Sequence, residues 1–299
     1  MLYNSVVLFR TLIALLKTMR PRQWVKNALL FAAIVFDEKI GHLSLLLHTL
    51  AGFALFCLLA STVYLINDLM DVQADRQHPQ KRKRPIASGQ LPVWIAVTVA
   101  SLFVLIIFPL AYRLSPFFAL VCLGYFILNL AYSRWLKHTL LLDVFILASF
   151  YVLRVVAGVT LVQVERFSPW LYVVTTLGAL FIGIGKRRAE LVLLADGANA
   201  HRRVLEGYSL PLLDQFITIV STMTVIAYSL YTFLAPNVPA NHTMMLTIPF
   251  ALYGIFRYLY LIQVQNSGGA PEDIFFSDRP LQVTIALWGL TVLAIFYLS

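Results

Sequence analysis

Asn67, Asp68, Asp71 and Asp75 stand at the end of a long apolar run, with Asn67, Asp71 and Asp75 recurring every four residues. Positions three and four apart are neighbours on a helix, so these three share one face and Asp68 borders it. A stripe of carboxylates at the edge of an apolar segment is costly unless something positive neutralises it. Hard oxygen donors suit magnesium, which is usually held by one or two carboxylates together with a substrate's phosphates. A basic stretch follows at once, with Arg76, Lys81, Arg82, Lys83 and Arg84. Acids followed directly by bases point to a phosphorylated ligand, held through metal on one side and by cations on the other. Asn67, Asp71 and Asp75 are therefore the candidate metal ligands and, with Lys186, the candidate catalytic residues.

Other chemistry-bearing residues gather near the same side of the chain's spans. Arg22 and Lys26, in the stretch Arg20, Arg22, Trp24, Lys26, Asn27, are candidate phosphate contacts, and Trp24 reads as an interfacial anchor. Tyr132, Ser133 and Lys137 close a span; the plain alternative for Lys137 is a snorkelling side chain. Asp143 and Arg154 both lie within one span, where an ionisable residue is a functional candidate by default. Three turns separate them, so they share a face without touching, and Arg154 needs an anionic partner of its own, either a structural carboxylate or a lipid phosphate. Lys186, Arg187, Arg188 and Glu190 end another span and form a candidate second, cationic half-site, although Lys186 and Glu190 are also spaced for a simple helix pair. Arg257 stands among Tyr253, Phe256, Tyr258 and Tyr260. His78, His138 and His201 lack partners at metal-ligand spacing, and the chain has no Ser-His-Asp order, P-loop or dinucleotide-binding glycine pattern.

The elements that must position these residues are membrane helices. The chain has 299 residues, 60% of them hydrophobic and only 12% charged, with a mean hydropathy of +0.80. That charge is too sparse to cover a soluble fold. Continuous apolar runs of about 20 residues, without alternation, are spanning helices rather than barrel strands. An all-α, polytopic fold of about nine spans is expected, near 22–36, 45–69, 92–113, 115–133, 139–161, 169–194, 211–234, 242–264 and 280–298. The first is short and interrupted. The chain reads as one integral membrane domain, 1–299. Residues 1–20 form an amphipathic interfacial helix and 21–299 the bundle. No small-residue cleavage site follows the first apolar stretch, which argues against a cleaved leader.

Charge sets the orientation. The outer loops hold Lys39, Arg113 and Arg166, and Arg154 and Arg257 lie within spans, so the remaining 18 of 23 Lys and Arg share the side of the N-terminus. That bias places the N-terminus and the charged motifs in the cytoplasm. The net charge of +9 then reads as loops facing anionic lipid and anionic substrate, with no support for nucleic acid. Cys57 and Cys122 fall within spans and read as packing residues. The two largest inner loops, 70–91 and 186–210, are four spans apart, which hints at duplicated four-helix units. A third inner segment, 266–280, is Gly- and Pro-rich with Glu272, Asp273 and Asp278.

The motifs resemble the UbiA superfamily of membrane prenyltransferases, whose magnesium–diphosphate signature has the form N-D-x-x-D-x-x-x-D. More narrowly they resemble its decaprenyl-phosphate phosphoribosyltransferase branch. The matching stretches are Met19–Asn27, Asn67–Asp75, then Arg76, His78, Pro79, Lys81, Arg84, Pro85, Ile86, Ala87 and Gly89. Tyr132-Ser133, Leu136-Lys137, Leu153-Arg154, Gly185–Leu191 and Arg257-Tyr258-Leu259 continue the match, which runs from about residue 19 to 280. The aromatic prenyltransferases carry a second acidic motif after the sixth helix. Here Lys186–Glu190 takes its place, with only Asp196 beyond.

The resemblance implies a UbiA-like bundle in the inner (plasma) membrane with its site on the cytoplasmic face. It implies Mg2+-dependent transfer of phosphoribose from 5-phosphoribosyl 1-diphosphate to a polyprenyl phosphate, releasing diphosphate. Asp71 and Asp75 would hold the metal, with Asn67 and Asp68 in support. Lys81, Arg84, Lys186 and Arg187 would grip phosphates. Tyr132, Lys137, Arg154, Glu190, Arg257, Arg22 and Lys26 complete the substrate-binding set. Membrane lipid is an expected partner, and self-association is left open. Two alternatives remain at this point: prenyl transfer from a prenyl diphosphate to a small aromatic acceptor, and transport of an anionic lipid or phosphate.

Overall fold

The computed structural model describes residues 2–78, 81–162, 164, 168–195, 203–265 and 271–298. Among them there is helix and connecting turn, and no strand. The order is α1 (Leu2–Met19), a 3-10 helix (Pro21–Phe31) running into α2 (Ala32–Phe36), α3 (Leu43–Met70), α4 (Val72–Gln77), α5 (Val93–Leu114) and α6 (Pro116–Arg134). It continues with α7 (Leu142–Val162), α8 (Pro169–Ala195), α9 (Leu210–Leu234), α10 (Ile248–Gln263), α11 (Pro271–Ser277) and α12 (Arg279–Tyr297). Several starts follow local chemistry. The side chains of Ser115, Ser209 and Asp278 accept hydrogen bonds from the Phe118, Leu212 and Leu281 amides, with a proline in each first turn. Those caps satisfy amides that the helix leaves without partners.

Eight helices among the described residues are long and apolar enough to cross a membrane: α3, α5 to α9, α10 together with the 3-10 helix Thr243–Thr247 that leads into it, and α12. The expected first span, 22–36, is helical but wound differently. It is an 11-residue 3-10 helix followed by the five residues of α2. A 3-10 helix rises about 2.0 Å per residue against about 1.5 Å for an α-helix, so this short segment extends to about 30 Å. Stretched winding thus gives sixteen residues the reach of an ordinary span.

The two largest apolar cores are each built mainly from four helices and share α7. One is built by α3, α5, α6 and α7 around Phe56, Leu59, Ile107, Phe118 and Tyr125. The other is built by α7 to α10 around Leu180, Phe181, Leu213, Ile217 and Ile262, and α11 and α12 add Ile274 and Leu281. The 3-10 helix lies against α3 and α7. Gly158 on α7 permits the contact, because a Cβ there would stand 2.1 Å from the Leu30 carbonyl oxygen. Small residues at membrane helix contacts allow this close backbone approach. Asp196 and Arg202, in the loop expected to carry the second half-site, lie outside the described residues.

Candidate active site

A cavity of about 600 Å³ opens at the end of the bundle where α3 meets α4. Asn67, Asp68, Asp71 and Asp75 all line it. They do not form one uninterrupted helical stripe, because α3 ends at Met70 and α4 begins at Val72, leaving Asp71 at the junction. Asp68 and Asp75 are each 3% exposed. Arg84 bridges them, its Nη1 lying 3.1 Å from Asp68 Oδ1 and 2.7 Å from Asp75 Oδ2. Arg20 Nη2 donates to Asp68 Oδ1 at 2.8 Å, and Ser133 Oγ donates to Asn67 Oδ1 at 2.6 Å. Asp71 has no side-chain partner among the described residues.

The rest of the wall is rich in cations. Lys81, Arg84, Lys137, Lys186, Arg154, Lys26 and Arg20 line the cavity, together with Tyr132. Lys81 and Lys137 sit in single 3-10 turns, Lys81–Lys83 and Leu136–His138. The approach to the acids begins at Arg20, where the backbone turns from α1 into the 3-10 helix at φ 53. A non-glycine residue in the left-handed region carries strain, and here it aims the guanidinium at Asp68.

The winding of that helix decides which bases face the cavity. At three residues per turn, side chains eclipse every third position. Arg20, Gln23 and Lys26 line the cavity. Trp24, Asn27 and Leu30 form another row: Trp24 Nε1 donates to Ser61 Oγ at 3.0 Å, Asn27 Nδ2 to Cys57 Sγ at 3.2 Å, and Leu30 is fully buried. Arg22 is exposed and is not part of the cavity wall. Of the two bases expected to touch phosphate, Lys26 lines the cavity and Arg22 does not. Arg20 and Gln23 were readable only with a period of three, for which the interrupted apolar pattern was the available signal.

Three further expected contacts lie elsewhere. Arg187 is fully buried. Its Nε meets Asp143 Oδ2 at 2.5 Å, its Nη2 donates to the Tyr132 hydroxyl at 3.1 Å, and its Nη1 pairs with Glu190. Tyr208 completes the cluster by donating to Asp143 Oδ1 at 2.8 Å. Burial, then this bond, pushes the Tyr208 hydroxyl above its usual range. Arg187 and Glu190 therefore meet each other rather than the cavity and act on it through Tyr132. Arg257 on α10 pairs with Asp278 at 2.8 Å and does not line the cavity. Its bond holds the Asp278 carboxyl below the ordinary value. In each case a carboxylate lay within reach and took the cation.

A divalent ion is testable against this donor set. Among the described residues no three His, Cys, Asp or Glu side chains stand together as a ready-made metal cage. Asp71 is unpaired, and Asn67 and Asp75 stand on the same wall with hard oxygens. One or two carboxylates with phosphate oxygens completing the shell is the ordinary magnesium arrangement, so these residues fit an ion that arrives with its phosphate.

A helical membrane bundle whose acids and bases converge on one cavity is the framework of an intramembrane transferase acting on phosphorylated substrates. Residues 28–278 match the UbiA prenyltransferase family, and the chain belongs to that family. It is 37% identical over 281 residues to the decaprenyl-phosphate phosphoribosyltransferase of Mycobacterium tuberculosis H37Rv, covering 92% of each chain. It is 36% identical to the decaprenyl-phosphate phosphoribosyltransferase of Mycolicibacterium smegmatis, over 95% of this chain and 93% of that one. The fold matches that of a UbiA homolog from Archaeoglobus fulgidus bound to GPP and Mg2+, with a TM-score of 0.71 over 95% of this chain and 99% of that one, at 22% identity.

Proposed function

We propose that the chain transfers phosphoribose from 5-phosphoribosyl 1-diphosphate to a polyprenyl phosphate, releasing diphosphate, with Mg2+ as its ion. The site would face the cytoplasm from the inner membrane, as the distribution of Lys and Arg favours. α1 would lie along the interface, since Leu8, Phe9, Leu12 and Leu16 are exposed while Ala14 and Met19 bury against the bundle.

The observation that carries the reading is the cavity's charge. Among the described residues the cavity wall carries Arg20, Lys26, Lys81, Arg84, Lys137, Arg154 and Lys186 against Asp68, Asp71 and Asp75, seven cations to three carboxylates. A prenyl diphosphate with an aromatic acceptor brings a single diphosphate. A phosphoribosyl donor adds a 5-phosphate and a lipid phosphate acceptor adds another, each monoester carrying about −1.5 to −2 charges. The cation surplus suits the second set. The helix end where an aromatic prenyltransferase has acids offers Lys186 to the cavity, while Glu190 is occupied by Arg187.

In the reaction the bond from the anomeric carbon to the diphosphate breaks, and a bond from that carbon to an acceptor phosphate oxygen forms. The departing electron pair stays with diphosphate, and no protein nucleophile is needed. Asp71 and Asp75, supported by Asn67 and Asp68, would hold Mg2+, which when bound neutralises charge on the leaving group. Arg84, in contact with Asp68 and Asp75, and Lys81 on the same cavity wall would take diphosphate oxygens. Lys186 and Lys137, also on the cavity wall, would hold the sugar phosphate.

Donor choice tests the reading. Purified protein with Mg2+ is expected to bind 5-phosphoribosyl 1-diphosphate, and geranyl diphosphate is expected to compete weakly. Tight geranyl diphosphate binding with none by the phosphoribosyl donor would return the chain to prenyl transfer.

A further inference from the structure

Arg154 lies on α7 eleven residues beyond Asp143, about 16 Å deeper along the helix at 1.5 Å per residue, and is 4% exposed. Its Nε donates to Asn27 Oδ1 at 2.8 Å, its Nη1 to the Phe150 carbonyl at 2.6 Å, and its Nη2 to the Tyr125 hydroxyl at 3.1 Å. The rings of Phe56, Tyr125 and Tyr151 surround the guanidinium at 5.8, 5.2 and 5.6 Å. No carboxylate pairs with it among the described residues. This separates it from Arg187, Arg188 and Arg257, each of which meets an Asp.

A cation this deep without an opposite charge is costly, and neutral acceptors and ring faces offset only part of the cost. A guanidinium has five N–H donors in a planar fork. Three are used, which leaves one on each terminal nitrogen of a side chain that lines the cavity. Two N–H groups on one fork match two oxygens of a phosphate.

The surroundings indicate whose phosphate. The cavity wall also has apolar members, Leu147 and Phe150 from α7, seven and four residues before Arg154, and Ile182 from α8. The carboxylates that suit a water-soluble sugar diphosphate stand where α3 meets α4, with Lys81 and Lys137 in the 3-10 turns that follow α4 and α6. A phosphate held at Arg154 has hydrocarbon-compatible walls beside it. We infer that Arg154 seats the phosphate monoester of the lipid acceptor, with Asn27 and Tyr125 fixing the fork and the lipid chain leaving past Leu147, Phe150 and Ile182. Arg154 is then the residue by which the cavity selects a lipid phosphate over a lipid alcohol.

This assignment rests on the phosphoribosyl-transfer reading, and its test separates the two. Binding of decaprenyl phosphate and of decaprenol is measured on purified wild type, Arg154→Met and Arg154→Lys, alongside the KM of each substrate. Wild type is expected to prefer the phosphate to the alcohol. Arg154→Met is expected to lose that preference, and Arg154→Lys, which keeps the charge without the fork, to weaken lipid phosphate binding by roughly 10-fold. The acceptor KM should rise by about 10- to 100-fold with the donor KM unchanged. If wild type binds decaprenyl phosphate through Arg154 but transfers nothing to it, the subsite stands and the transfer reading falls. If transfer occurs while Arg154→Met and Arg154→Lys bind the lipid phosphate like wild type, or if only the donor KM rises, the assignment is overturned.

Discussion

The chain carries two charged clusters, Asn67–Asp75 across the junction of α3 and α4 and Lys186–Glu190 in the C-terminal part of α8, and uses them in opposite ways. The acidic cluster opens onto the cavity. Its carboxylates hold mobile-length arginines from other segments, and Asp71 has no side-chain partner among the described residues. The basic cluster turns inward. Arg187 is sealed against Asp143 and Glu190, and Arg188 ties α8 to α9 through Asp214 at 2.7 Å; Lys186 is the member that lines the cavity. A buried acid on a neighbouring helix converts a cation from ligand-binding to architectural. A charged motif's role therefore depends on whether its counter-charge comes from the protein or from the substrate.

Removing the open carboxylate should have the largest effect on turnover. Asp71→Asn is expected to lower it by about 100- to 1,000-fold, the scale of losing transition-state charge stabilisation, while thermal stability holds, since Asp71 supports no ion pair. Excess EDTA should silence the wild type and Mg2+ restore it. An Asp71→Asn protein that turns over normally, assayed beside an EDTA-insensitive wild type, would remove metal from the account.

The closed cluster should fail in folding. Arg187→Met leaves Asp143 buried without its cation, a loss of about 3–5 kcal/mol. Adding Asp143→Leu should recover much of it, because replacing both partners with apolar groups is often neutral. Chemical denaturation of the single and double variants checks this. A fully stable Arg187→Met with a raised donor KM would place Arg187 in the binding set after all.

Lys186 is the point where the two behaviours meet. Lys186→Ala is expected to raise the donor KM by about 10- to 100-fold, as for the loss of a hydrogen bond to a charged group, with little change in melting temperature. Steady-state kinetics with both substrates varied would show it, and an unchanged KM would make the whole basic cluster architectural.

Much of this was legible beforehand. Continuous apolar runs define the helices, and the acidic motif names its own cavity wall, because charge at a membrane boundary has few bland uses. The misreadings have specific causes. Pro21–Phe31 wind as a 3-10 helix, which turns Arg20, Gln23 and Lys26 to the cavity and leaves Arg22 outside it. Arg187 and Arg257 look like substrate ligands until the fold brings Asp143 and Asp278 to them, contacts spanning 44 and 21 positions. Arg154 was expected to need an anion, and the structure supplies only neutral partners.

The smallest effect concerns a pair far from the cavity. Asp278 caps α12 and accepts from Arg257, and its carboxyl is held below the ordinary value of 3.8. A depressed carboxylate stabilises the fold above that ordinary value and loses its contribution as pH falls through the lowered one. Asp278→Asn keeps a capping side chain but loses the charged bond to Arg257, so it should cost a little stability near neutrality, a difference that should shrink as pH falls below the ordinary carboxylate value. A difference independent of pH would show that the carboxylate's charge contributes nothing.

The transfer itself is the central claim. Purified protein in lipid nanodiscs, given Mg2+, radiolabelled 5-phosphoribosyl 1-diphosphate and decaprenyl phosphate, should move the label into the lipid fraction and release one diphosphate for each labelled lipid. Label that stays water-soluble, while a prenyl diphosphate is consumed with an aromatic acceptor under the same conditions, would contradict it.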